Sequence, residues 1–140
     1  MASAPGSATV LPFKASINLP PPIQVTNYEQ LMSIDGKQAL TVTWDPNGYS
    51  ADDIVTVWLN RSRGLACTAP AQAGQVTIPQ ELMVELDAAA PSQSDSANME
   101  ISLSRRGGKV DIFEIALING ASVPSLFSYY STESFPVSVH

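Results

Sequence analysis

Few side chains in this 140-residue sequence belong to types that catalyse, and their spacing keeps them apart. Its one histidine, His140, is the final residue, so a Ser-His-Asp or Cys-His arrangement would have to draw its base from a chain end. Cys67, the one cysteine, lies between Leu65 and Ala69 on an alternating run, the pattern of a small buried apolar residue, with no adjacent base to activate it. A single cysteine also excludes an intrachain disulfide and a multi-cysteine zinc site. Glu100, Asp111 and Glu114 are carboxylates of the kind that cleave glycosidic bonds in pairs, but each alternates with apolar neighbours, as outward-facing strand carboxylates do. Lys14, Lys37 and Lys109 carry no local pattern that points to an isopeptide bond.

Two groups of residues offer binding rather than catalysis. The loop DPNGYSADD, residues 45–53, gathers oxygen donors in a short stretch, and Asp45, Asn47, Asp52 and Asp53 are its candidate calcium ligands. Its spacing is not that of an EF-hand, because Gly48 comes too early and Thr56 stands where a bidentate Glu is needed. Asp-Pro and Asn-Gly turn preferences explain the same residues as a solvated connection. The other group is aromatic. Trp58 falls on the opposite strand face from Val55, Val57 and Leu59, and Tyr129 and Tyr130 follow Phe127 just before the last strand. Exposed, coplanar aromatics on a sheet stack against sugar rings or anchor a protein partner. Asn60-Arg61-Ser62 also matches a glycosylation sequon.

Composition narrows the class. The length fits one domain, and 44% hydrophobic residues suffice for a core. Charged residues are only 14%, against about 25% in typical domains, which disfavours long solvent-exposed helices. A net charge of −6 and scattered basic residues argue against nucleic-acid binding, which needs Lys and Arg to neutralise phosphates. No apolar run approaches the roughly 18 residues of a membrane helix, so membrane insertion is not expected. The opening MASAPGSATV lacks the charge and apolar stretch of a signal peptide. No cofactor is expected.

The elements that must position these residues are strands. Leu40-Val42-Trp44, Val55-Val57-Leu59, Leu65-Cys67, Val76-Ile78, Met99-Ile101-Leu103 and Phe135-Val137-Val139 alternate with polar residues, and 109–118 reads as a longer strand carrying Phe113, Ile115 and Leu117. Upstream, Phe13–Leu19 and Ile23–Thr26 read as strands separated by three prolines. Turns fall at Asp45–Gly48, Arg106–Gly108 and Asn119–Gly120. One short helix is predicted from Pro79 to Leu86, with a loop from Ala88 to Ala97. The pattern predicts an all-β, two-sheet antiparallel sandwich, with 1–12 as an N-terminal extension or first edge segment and 13–140 as a single β-sandwich domain. Its core is expected around Trp44, with Leu40, Val42, Val57, Cys67, Ile78, Ile101 and Phe113. The last strand is expected to pair with Phe13–Leu19 or with 109–118.

Four stretches, FKASINLPPPIQVTN (13–27), LTVTW (40–44), LACTAPAQAGQVTIPQELMVEL (65–86) and FPVSVH (135–140), resemble the C-terminal immunoglobulin-like sandwich domains of uncharacterised exported acidobacterial proteins. The third is the most specific, joining a Cys-Thr-Ala-Pro strand, an Ala-Gly turn and a Thr-Ile-Pro lead-in to a helix. The resemblance implies an immunoglobulin-like or fibronectin-type-III-like fold and an extracytoplasmic or secreted setting within a longer exported chain. It implies no catalytic residues, and the Asp45–Asp53 loop departs from its shorter Gly-rich connection. The resulting expectation is a non-catalytic structural or adhesive accessory domain, not an enzyme, facing protein or glycan at the cell surface. The alternative is a carbohydrate-binding module using Trp58, Tyr129 and Tyr130.

Overall fold

Alternation of β-branched and polar residues organises the chain, and a computed structural model describes the outcome for residues 2–4, 10–15, 18–89, 96–105, 111–127 and 130–140. Among these residues the elements are β1 (Ala2–Ala4), β2 (Phe13–Ala15), α1 (Tyr28–Leu31), β3 (Ser33–Ile34), β4 (Leu40–Thr43), β5 (Asp53–Asn60) and β6 (Gly64–Pro70), then a 3-10 turn at Ala71–Ala73. There follow β7 (Gln75–Ile78), α2 (Gln80–Ala88), β8 (Ser96–Arg105), β9 (Asp111–Ala116), β10 (Ser122–Phe127) and β11 (Tyr130–Val139). The protein is mostly β. No described helix is long and apolar enough to cross a membrane.

The chain divides into two compact units, Met1–Leu19 with Gly107–Tyr129 and Pro20–Arg106 with Tyr130–His140. In the first, β1 pairs with β2 and β9 with β10, both antiparallel. A bridge from Val10 to Leu117 ties the N-terminal segment to the end of β9. The Asn119–Gly120 turn forms as predicted: the Leu117 N–H donates to the Ala121 carbonyl at 2.8 Å, and Gly120 takes φ +83°, a value that favours glycine.

The second unit holds a five-stranded sheet in the order β3-β11-β8-β5-β6. Its register sets Val57 opposite both Ile101 and Cys67, Val55 opposite Leu103, and Met99 opposite both Leu59 and Phe135. These side chains share one face. Most of them are buried, as are Val137 and Val139 on β11. A smaller sheet pairs β4 with β7, and Val25 adds a bridge to Trp44 on the other side of β4. Its buried side chains are Val42, Val76 and Ile78. Its exposed side is tied by hydroxyl pairs between Thr41 and Thr77 at 2.9 Å and between Thr26 and Thr43 at 2.7 Å.

Trp44 sits at the end of β4 and is 2% exposed. Its indole N–H donates to the Ala71 carbonyl at 2.7 Å, satisfying a polar group that burial would otherwise leave costly. Gly74, at φ +69°, ends the 3-10 turn and accepts the Trp44 backbone N–H at 2.9 Å. The expected core therefore includes Trp44, Val42, Val57, Ile78 and Ile101, while Leu40 and Cys67 are only half-buried. The Phe113 side chain lies outside those described.

Three expectations need correction. Helix α2 runs Gln80–Ala88 rather than Pro79–Leu86 and is not the only helix, because α1 forms at Tyr28–Leu31. Pro79 becomes the N-cap, Met83 and Leu86 bury one face, and Asp87 in the last turn is held by Arg61 at 2.7 Å. That cation offsets the unfavourable placement of a carboxylate at the negative end of a helix. Of the segment 13–19, Phe13–Ala15 form a strand and Asn18 and Leu19 do not, residues 16 and 17 lying outside those described, and 23–26 contributes a bridge. The final strand pairs with neither predicted partner: β11 lies antiparallel to β8 and, over Ser138 and Val139, parallel to β3. The turn at 106–108 lies outside the described residues.

Truncating Trp44 to Ala should cost about 3–5 kcal/mol, read as a lower urea midpoint. An unchanged midpoint would remove Trp44 from the core. Deleting 134–140 should abolish cooperative unfolding, because it strips Phe135, Val137 and Val139 from the core and unpairs much of β8. Hydrogen exchange in the intact chain offers a milder check: the Val137 amide, and the Ser138 amide that donates to the Met32 carbonyl at 3.0 Å, should be protected.

Candidate functional site

Strand parity places the aromatic candidates. On β5 the even positions Ile54, Thr56, Trp58 and Asn60 face away from Val55, Val57 and Leu59, and Trp58 is 42% exposed. Register sets Glu100 of β8 directly opposite Trp58. Tyr130, 61% exposed, opens β11 opposite Ser104 on the same outer face. Its hydroxyl donates to Glu100 Oε1 at 3.1 Å. The phenol therefore extends along the sheet toward the row that holds Trp58. Ser102, the outer-face position between Ser104 and Glu100, is only 4% exposed.

The result is a carboxylate with an exposed indole on one neighbouring strand and an exposed phenol from the other. Around it lie Thr56, Asn60, Asn98, Ser134 and Thr132, and Asn98 donates through Nδ2 to Ser134 Oγ at 2.8 Å. In the sequence Glu100 reads only as a strand carboxylate. Its place beside both aromatics depends on the pairing of β5, β8 and β11, which alternation does not reveal. Tyr129 lies outside the described residues.

The Asp45–Asp53 loop is put to structural use. Asp45 Oδ1 accepts the Asn47 backbone N–H at 3.0 Å, an Asx-type turn. Gly48 takes φ +88°, and a Cβ there would lie 2.9 Å from Pro21. Asp53 is 2% exposed, accepts the Ser50 N–H at 2.7 Å, and stands 3.7 Å from Arg105 Nε. Asp52 is half-buried. Among the described residues no three His, Cys, Asp or Glu side chains are grouped to hold a metal ion.

Cys67 lies on β6 opposite Val57, and burial pushes its thiol pKa up, away from the reactive thiolate. His140 is held by β3: its N–H donates to the Ile34 carbonyl, and its carbonyl accepts the Gly36 N–H at 2.9 Å. Its side chain is exposed. Glu114 accepts from Ser122 Oγ at 3.1 Å and belongs to the other unit from Glu100. The Asp111 side chain lies outside those described. In the sequon Asn60 is exposed, and Ser62 Oγ donates to the Ala89 carbonyl at 3.2 Å.

Tyr49 is buried and donates its hydroxyl to the Pro22 carbonyl at 3.3 Å. Burial chiefly, with the charges of Asp45 and then Asp53, raises its phenol above the ordinary value. The folded state thus holds this proton more tightly than the unfolded chain. Its contribution to stability is complete below about pH 10 and is lost as pH rises through the folded pKa. The stability read from denaturation across that range should fall less steeply for Tyr49→Phe than for the native chain. Parallel curves would show that the phenol does not titrate differently on folding.

Set against protein-family models, curated proteins and solved structures, the chain matches none of them.

Proposed function

We propose that this chain is a non-catalytic adhesive or structural accessory domain of a longer exported protein, built on an immunoglobulin-like or fibronectin-type-III-like sandwich. The sandwich reading is supported by buried side chains contributed from both the five-stranded sheet and the β4–β7 pair, and by the buried tryptophan that follows β4. The observation that carries the adhesive reading is the outer face of the five-stranded sheet. A soluble domain gains nothing in stability by holding Trp58 and Tyr130 in solvent, whereas aromatics with an apolar body and a polar tip are what interfaces use as anchors. An extracytoplasmic setting is in keeping with a surface built from Ser, Thr and Asn and few charges.

The test is retention of the purified chain on isolated cell envelopes. Trp58→Ala and Tyr130→Ala should each weaken retention by about tenfold, the cost of an interface anchor, with the melting temperature nearly unchanged because both side chains are exposed. Equal retention of all three proteins would remove the outer face from the reading. Reproducible turnover in a broad hydrolase screen, abolished by one point substitution, would overturn the non-catalytic assignment.

A further inference from the structure

We infer that the outer face binds a neutral glycan, with Trp58 as the stacking platform, Glu100 as the acceptor for sugar hydroxyls, and Tyr130 as both a second ring and the group that orients Glu100. The inference rests on the adhesive reading of this face and names its ligand class.

Charge selects the ligand. The described outward positions of β3, β11, β8, β5 and β6 carry Ser, Thr, Asn, Ala, Pro, Gly, Ile, Trp and Tyr, and Glu100 is the one charged side chain among them. An anionic partner meets no cation there and one carboxylate. A strongly cationic partner meets a single counter-charge on an open sheet, where screening leaves a lone pair little to contribute. A neutral ligand rich in hydroxyls matches the face better. The aromatic ring face is electron-rich and attracts the weakly positive C–H groups on the flat side of a pyranose. A carboxylate accepts hydrogen bonds only, so it pairs with hydroxyl donors.

Geometry adds an orientation. Trp58 and Glu100 occupy the same cross-strand row, so their Cβ atoms lie within roughly 4.5–5.5 Å of each other, close enough for one sugar ring to meet both. Tyr130 holds Glu100 Oε1 from the β11 side at 3.1 Å. The carboxylate is therefore partly ordered before any ligand arrives, which lowers the entropic cost of binding.

The experiment titrates the full chain with cellohexaose, mannohexaose and laminarihexaose and follows tryptophan emission. Trp44 is buried and serves as the internal control, so a blue shift on binding reports Trp58. At least one hexaose should produce that shift, Trp58→Phe should lose it, and Trp58→Ala should weaken binding by about tenfold or more. Glu100→Ala should weaken binding several-fold, while Glu100→Gln, which keeps an acceptor oxygen, should retain more of it. Raising NaCl to about 0.5 M should leave the affinity unchanged. Binding of a Lys-rich peptide with no hexaose bound would overturn the glycan assignment. Envelope retention that depends on Trp58, again with no hexaose bound, would overturn the glycan assignment and leave the adhesive reading standing. A hexaose bound equally by Trp58→Ala would overturn the assignment of the glycan to this face.

Discussion

Burial of one face of β5, β8 and β11 governs the rest of the second unit. Val55, Val57 and Leu59 stand opposite Leu103, Ile101 and Met99, and Met99 in turn stands opposite Phe135. Side chains alternate with a period of two, so a slip of one residue would drive Trp58 into the core and expose Val57. The hydrophobic term sets against that slip the transfer of several large apolar side chains to water, each worth about 1.5–3 kcal/mol. The outer face inherits its arrangement from this constraint. Trp58, Glu100 and Tyr130 meet where they do because their inward neighbours leave no other register.

Several polar groups drawn into this packing are matched. The Trp44 indole donates to Ala71, Arg61 holds Asp87 at the end of α2, and Asp53 accepts from Ser50 while lying near Arg105. The first two join segments that the ladders do not, β4 with the 3-10 turn and the β5–β6 turn with α2, and the third fastens the Ser50 turn to the start of β5, where Asp53 is already the cross-strand partner of Arg105. A buried group left without such a partner costs about 1–3 kcal/mol, so these contacts specify which connections close the core even where they add little net stability. The loop that looked most like an ion site belongs to this class. Its oxygens accept from backbone N–H groups and its glycine lies against Pro21.

Element type was legible where periodicity was strong. The alternation of Val55, Val57 and Leu59 against Thr56 and Trp58 predicts both the strand and its two faces, and Trp44 is buried as its run suggests. Pairing was not legible. β11 carries a clean apolar alternation over Phe135–Val139 that suits any apolar neighbour, and which strand it joins depends on the path of residues far away in sequence. α1 escaped notice because four residues are too few to show a helical period. Glu100 escaped for a related reason: its significance comes from what lies across the ladder, and no spacing within 96–105 records that.

The three outer-face residues are not held alike. Trp58 and Glu100 lie within long strands, with β5 laddered to both β6 and β8, and β8 to both β5 and β11. Their backbones are fixed from both sides. Tyr130 is the first residue of β11, and among the described residues its strand is paired at this end with β8 alone. Strand ends open more readily than strand centres. The hydrogen bond to Glu100 Oε1 is thus a second point of attachment for a residue that the ladder holds weakly, and it runs to the one carboxylate on the face. Glu100 thereby links an element fixed by the core to a ring carried at a strand end.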